Sequence, residues 1–195
     1  PPLEFIGGQE CKADDKSNFS YMDPAAFAGV YNGGAPFSQM DQYFGSLELN
    51  YEMDNDLTLT SVTGYYDVDF KSLFNGSITN NIGSPFAIQG AMERDDFTQE
   101  LRLTSDYAGT VNFMVGAFYQ DGHTDYLSHL PANKTWNTLI PYLTRRGQTP
   151  RLLPPALALA QSQIEAETIS LFGQVLWNIT DALELGVGTR WTDEE

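Results

Sequence analysis

The sequence predicts an all-β protein, an antiparallel up-and-down meander of long strands. Three observations predict it. A hairpin pattern, two alternating strands about a short polar turn, occurs at residues 50–59, 100–115 and 176–185. Long segments rich in turn-forming residues separate these hairpins, at 71–95 and 121–166. The strands read as about 10 to 14 residues, longer than a globular strand and enough to cross a bilayer when tilted. Short turns at one end and long loops at the other are the layout of a transmembrane β-barrel, so residues 1–195 read as one partial barrel segment.

Residues 1–42 are rich in Gly, Pro, Asn, Asp and Ser and read as loop. The first hairpin region is 43–70. Tyr43, Leu47, Leu49, Tyr51 and Met53 fall on one face, and Ser46, Glu48, Asn50 and Glu52 on the other. Asp54, Asn55 and Asp56 make the turn, because short polar side chains tolerate turn geometry and bond their own backbone. The return strand leaves two readings open. A three-residue turn puts Leu57, Leu59 and Tyr65 on the face of Met53, yet Val62, Tyr66, Val68 and Phe70 make the opposite face look more apolar. A bulge near Gly64 would reconcile them.

Residues 71–95 form a long loop marked by Asn75-Gly76, Gly83-Ser84-Pro85 and Gly90. The second hairpin region, 96–120, alternates cleanly. Phe97, Leu101, Leu103, Val111, Phe113 and Val115 oppose Thr98, Glu100, Arg102, Thr104, Asn112 and Gln120. The longest loop, 121–166, contains Pro154-Pro155. Proline favours a first helical turn, so a short helix is expected over 156–164, with Leu157, Ala160 and Ile164 on one face. The last hairpin region is 167–191. Val175, Trp177, Leu185, Val187 and Trp191 lie on one face, and Gln174, Glu184 and Arg190 on the other. Tyr51 and Tyr65 flank the first turn as Trp177 and Trp191 flank the last, the placement of interfacial aromatic girdles.

A net charge of −16 argues against a nucleic-acid partner, which needs a basic face. Aromatic residues reach 13 %, so the chain has ample apolar surface to bury and is not disordered in composition. No apolar run approaches the length of a membrane helix, which leaves barrel strands untouched as a way across. The single cysteine, Cys11, reads as a free thiol or as half of a disulfide with a partner outside this segment.

Chemistry-bearing constellations are sparse, and no cofactor is expected. Asp121, His123, Asp125 and His129 read as a solvated polar loop, with a transition-metal site as the alternative. Glu165 and Glu167 read as surface carboxylates, with acid/base glycan cleavage as the alternative. Glu48, Glu100, Arg102, Glu184 and Arg190 lie on polar faces and would line a barrel lumen. Trp136, Tyr142, Arg145, Arg146 and Arg151 give the longest loop a mix suited to stacking and anion contact, and are the candidate ligand-binding residues.

Several stretches together carry a family resemblance. Residues 57–65 (Leu57-Thr58-Leu59-Thr60-Ser61-Val62-Thr63-Gly64-Tyr65), 97–105 and 115–120 resemble barrel strands of TonB-dependent outer-membrane receptors. Leu171-Phe172-Gly173-Gln174, followed by residues 188–195, is similar to a later hairpin in the same order. The resemblance spans about residues 42–195. It implies a bacterial outer-membrane receptor that binds a scarce small-molecule ligand and imports it with energy passed from the inner membrane. It also implies partners: the rest of the barrel, a plug domain, a TonB-type energy transducer and outer-membrane lipid. Such receptors carry a coupling box and plug before a 22-stranded barrel. About six strands are visible here without either, so the chain reads as a central slice. The rival expectations are a secreted β-sandwich adhesin or binding module, and an extracellular glycan-acting enzyme.

Overall fold

The computed structural model describes residues 21–76, 84–144, 147, 149 and 151–195. These residues contain β1 (Phe37–Met53), β2 (Leu57–Asn75), β3 (Ala87–Ser105), β4 (Val111–Pro131), a helix α1 (Trp136–Leu143), β5 (Ala156–Thr180) and β6 (Leu183–Glu194). The strands form one six-stranded sheet in the order β1-β2-β3-β4-β5-β6. A sandwich needs two sheets facing each other, and the described strands all belong to one. By backbone contacts the chain divides into two compact units. One comprises residues 1–41, 69–93 and 125–162, the other 42–68, 94–124 and 163–195.

The second unit holds the three short turns, which the backbone ties together. Asp106 N–H donates to Asp56 C=O at 2.8 Å, and Asn178 N–H donates to Thr110 C=O at 2.8 Å. Asp56 adopts the left-handed conformation at φ 56°, which a short polar side chain tolerates. Asn112 closes the second turn, accepting from Tyr107 N–H at 2.7 Å and donating back to Tyr107 C=O at 3.2 Å. Between β5 and β6, Leu171 opposes Trp191, Val175 opposes Val187 and Trp177 opposes Leu185.

Parity settles the strand that the sequence left open. Along β2, Leu59 and Tyr65 are exposed while Thr60 and Val68 are buried, so one alternation runs unbroken to Val68. Gly64 answers a different need. A Cβ there would lie 2.5 Å from Thr98 Oγ1, so the position must lack a side chain for the Thr98 hydroxyl to cross it.

The first unit carries the longer connections and its own small core. Met22, Phe27, Leu73 and Ala87 are buried together, with Ala26, Val30, Tyr31 and Phe37 packed against them. Backbone bonds draw the connections into one framework. Gly76 N–H donates to Phe86 C=O, Asn133 N–H to Pro85 C=O, Ala132 N–H to Pro155 C=O and Lys134 N–H to Ala26 C=O.

Three sequence expectations change here. Residues 1–42 include the start of β1 at Phe37, so the first strand begins earlier than position 43. The loops 71–95 and 121–166 shrink, because β2 continues to Asn75, β3 starts at Ala87, β4 continues to Pro131 and β5 starts at Ala156. The helix expected over 156–164 is strand, and the helix lies at Trp136–Leu143 instead. Alanine-rich Ala156-Leu157-Ala158-Leu159-Ala160 has helical propensity, but ladder pairing within the sheet overrides it.

Candidate ligand-facing surfaces

In the second unit the sheet has two chemically distinct faces. Leu101, Val111, Val115, Val175, Trp177, Leu185, Val187 and Trp191 are all exposed and occupy alternate positions. The intervening positions carry polar side chains bonded to one another. Thr60 Oγ1 donates to Asn50 Oδ1 at 2.7 Å, and Asn50 Nδ2 donates to Glu48 Oε1 at 2.8 Å. Arg102 Nη1 meets Glu100 Oε1 at 3.3 Å. Both side chains are partly exposed, so the pair contributes only about 0–1 kcal/mol. Asp96 is more enclosed. It accepts from Arg94 Nε at 2.6 Å and from Gln120 Nε2 at 3.0 Å, which joins β3 to β4.

Arg190 is the most elaborately held of these groups. Its guanidinium carbon lies 5.5 Å from the Phe118 ring centroid and 5.7 Å from that of Phe172. Nη2 donates to Ser170 Oγ at 2.9 Å and Nε to Thr192 Oγ1 at 3.3 Å. Phe172 reaches this position by lying over Gly116, where a Cβ would be 2.5 Å from its Cζ. Glu184 sits opposite Asn178 and is exposed.

The polar clusters read from sequence fall differently. Asp121, His123, Asp125 and His129 lie on β4 rather than in a loop. His129 Nδ1 is 2.7 Å from Gln89 Nε2. Among the described residues no group of three His, Cys, Asp or Glu side chains is placed to hold a metal ion. Glu165 and Glu167 border an open cleft of about 410 Å³ with Asp121, His123 and Glu195.

In the first unit, Trp136 opens α1, and Tyr142 falls within the same helix. Arg151 is exposed ahead of β5, and Arg145 and Arg146 lie outside the described residues, as does Cys11. Asn137 clasps the base of this connection, donating from Nδ2 to Leu153 C=O at 3.1 Å and accepting Leu153 N–H at 2.7 Å. The unit also has an apolar cleft of about 420 Å³, lined by Pro36, Phe37, Ser38, Phe70, Ser72, Leu73 and Phe74. Sequence reasoning missed it, because its aromatic side chains come from two strands 30 or more positions apart in the chain.

The comparisons agree with this architecture. In structure the chain is similar to the ferric yersiniabactin uptake receptor FyuA from Yersinia pestis, with a TM-score of 0.62 at 15 % identity. The match covers 90 % of this chain and 24 % of that receptor, so the chain spans about a quarter of its length. Among curated proteins none matches the chain. The family described as TonB dependent receptor-like, beta-barrel, matches residues 12–195. A six-stranded sheet in strict chain order, with one apolar and one polar face over its turn-bearing unit, is what a stretch of such a barrel wall requires, and the chain belongs to the TonB-dependent receptor-like β-barrel family.

Proposed function

We propose that this chain is part of the wall of a bacterial outer-membrane receptor. That receptor takes up a scarce nutrient with energy delivered by a TonB-type protein. The single observation that carries the reading is the two-faced, in-order sheet in a chain of this family. Lipid satisfies no backbone hydrogen bonds, so strands cross a membrane only where every edge is paired, and β1 and β6 would pair with strands elsewhere in the receptor. In this reading the face of Leu101, Val175, Trp177 and Leu185 meets lipid. The face of Glu48, Glu100, Arg102, Glu184 and Arg190 lines the lumen, where a plug would sit. The connection carrying Trp136, Tyr142, Arg145, Arg146 and Arg151 is extracellular and contacts ligand. Siderophores, cobalamin and glycans are the ligand classes to test, and the likeness to a ferric yersiniabactin receptor puts iron chelates first.

The test uses the full-length receptor in a bacterium lacking its own receptors for these nutrients. The expected result is outer-membrane fractionation with saturable accumulation of one labelled nutrient, abolished by an uncoupler. Joint Trp136→Ala and Arg151→Ala replacement should weaken binding and leave membrane insertion intact. A membrane-inserted protein that accumulates none of the three classes overturns the uptake role. A protein that fractionates as soluble overturns the barrel reading.

A further inference from the structure

The sequence contains two Asn-Gly steps, Asn32-Gly33 and Asn75-Gly76, and the first unit holds both in opposite surroundings. Asn32 and Gly33 are exposed, in the short turn before β1. Both have left-handed backbone, Asn32 at φ 48° and ψ 33°, Gly33 at φ 59° and ψ 18°. A Cβ on Gly33 would meet nothing within 4 Å, so the peptide plane between the two residues has room to rotate. Asn32 is bonded twice to Ala35: its Nδ2 donates to Ala35 C=O and its own C=O accepts Ala35 N–H, both at 3.2 Å. Asn75 closes β2 and is only 4 % exposed. Gly76 N–H donates to Phe86 C=O at 3.0 Å, and a Cβ on Gly76 would run into the Phe86 ring.

We infer that Asn32 is a site of spontaneous deamidation and isoaspartate formation, and that the fold exempts Asn75 from the same chemistry. The reaction needs only water and hydroxide. The Gly33 backbone nitrogen gives its proton to hydroxide and attacks Asn32 Cγ. An N–Cγ bond forms, the Cγ–Nδ2 bond breaks, and Nδ2 takes a proton from water and leaves as ammonia. The product is a five-membered succinimide. Water then adds to one of its two carbonyls. Opening at Cγ gives aspartate, and opening at the main-chain carbonyl gives isoaspartate, with the chain running on through Cγ. No group is oxidised or reduced.

The attack requires the glycine nitrogen to give up its proton and swing onto Cγ. Gly76 cannot do so while Phe86 C=O holds its N–H and the Phe86 ring presses on its Cα. Asn75 must also bring a buried side chain out to water before ammonia can leave. At Asn32 the side chain already stands in water, and the two bonds to Ala35 exchange for bonds to solvent at little cost. A buried bond that water does not replace suppresses the open state about tenfold or more, so Asn75 should convert at least about tenfold more slowly than Asn32. Conversion removes the Nδ2 donor to Ala35 and adds a carboxylate, and isoaspartate also lengthens the backbone by a methylene. The change falls beside Gly34, whose C=O accepts from the N–H of Met22, a member of the apolar core.

The experiment ages the full-length receptor in detergent at neutral and mildly alkaline pH, with a second sample unfolded in urea. Mass spectrometry follows the peptides containing Asn32 and Asn75, and electron-transfer fragmentation separates aspartate from isoaspartate. The expected result in the folded receptor is a mixture of both products at Asn32, forming faster as pH rises and at least about tenfold faster than at Asn75. In urea the two rates should converge, because both sites are then plain Asn-Gly. Gly33→Ala, read in urea where folding plays no part, should slow the reaction at Asn32. Conversion at Asn32 no faster than at Asn75 in the folded receptor overturns the site. The same ratio of rates in urea as in the folded receptor overturns the protection assigned to the fold.

Discussion

Placing an arginine on each face of β5 tests which side meets lipid. Val175 lies on the apolar face opposite Val187, and Gln174 is its neighbour on the polar face. Val175 is five positions from Thr180, where β5 ends. At about 3.3 Å per residue that is about 16 Å along the strand, and about 12 Å along the membrane normal for a tilt near 40°. An apolar band about 25 Å tall puts this position near its midplane, where an arginine facing lipid costs about 2–4 kcal/mol. At about 1.4 kcal/mol per tenfold, Val175→Arg should lower the folded-to-unfolded ratio by about 30- to 700-fold. Gln174→Arg meets water and polar side chains instead and should cost far less. The assay is reversible urea unfolding of the full-length receptor in phospholipid vesicles, followed by tryptophan fluorescence. Equal losses in the two variants, or a larger loss for Gln174→Arg, would refute the assignment of faces.

Two further outcomes follow from local geometry. Gly116→Ala should destabilise the receptor by about 1–3 kcal/mol in the same urea titration, because the new Cβ would lie 2.5 Å from Phe172 Cζ and 2.8 Å from Leu101 C=O. Its near-ultraviolet circular dichroism should change as the Phe118–Arg190–Phe172 stack is displaced, and an unchanged midpoint would mean the ring moves aside freely. Asn137→Ala removes both bonds to Leu153 and should raise proteolytic cleavage between α1 and β5 several-fold, while Thr138→Ala, which loses only a bond to Thr135 C=O, should not.

Much of the fold was legible because barrel strands write their two faces into alternate letters. Glu100-Leu101-Arg102-Leu103 and Val175-Leu176-Trp177 declare their parity, and the turn at Asp54 to Asp56 declares where the chain reverses. The reading failed where that code lapses. In Lys71-Ser72-Leu73-Phe74 the alternation gives way, with Ser72 and Leu73 both buried, so the end of β2 reads as loop. In Ala156-Leu157-Ala158-Leu159 the strand alternates small and large apolar groups without a polar face, and helix propensity misleads. The polar face itself was legible as a set of residues, but not as contacts. Arg190 stacks on Phe118 from more than 70 positions away, and Gln89 meets His129 across 40. Neither pairing leaves a local mark in the sequence.

The chain-order pairing of β1 through β6 also restricts how such a wall can change in length. Each strand runs opposite to its neighbours and hands the chain from one end of the sheet to the other. Adding or losing a single strand would therefore deliver everything after it to the wrong side of the membrane. Adding or losing a hairpin, such as β3 with β4 or β5 with β6, returns the chain to the end it left and preserves which side chains face each way. The smallest heritable step in barrel circumference is thus two strands, which is how a sheet built of such repeats comes to hold an even number of them.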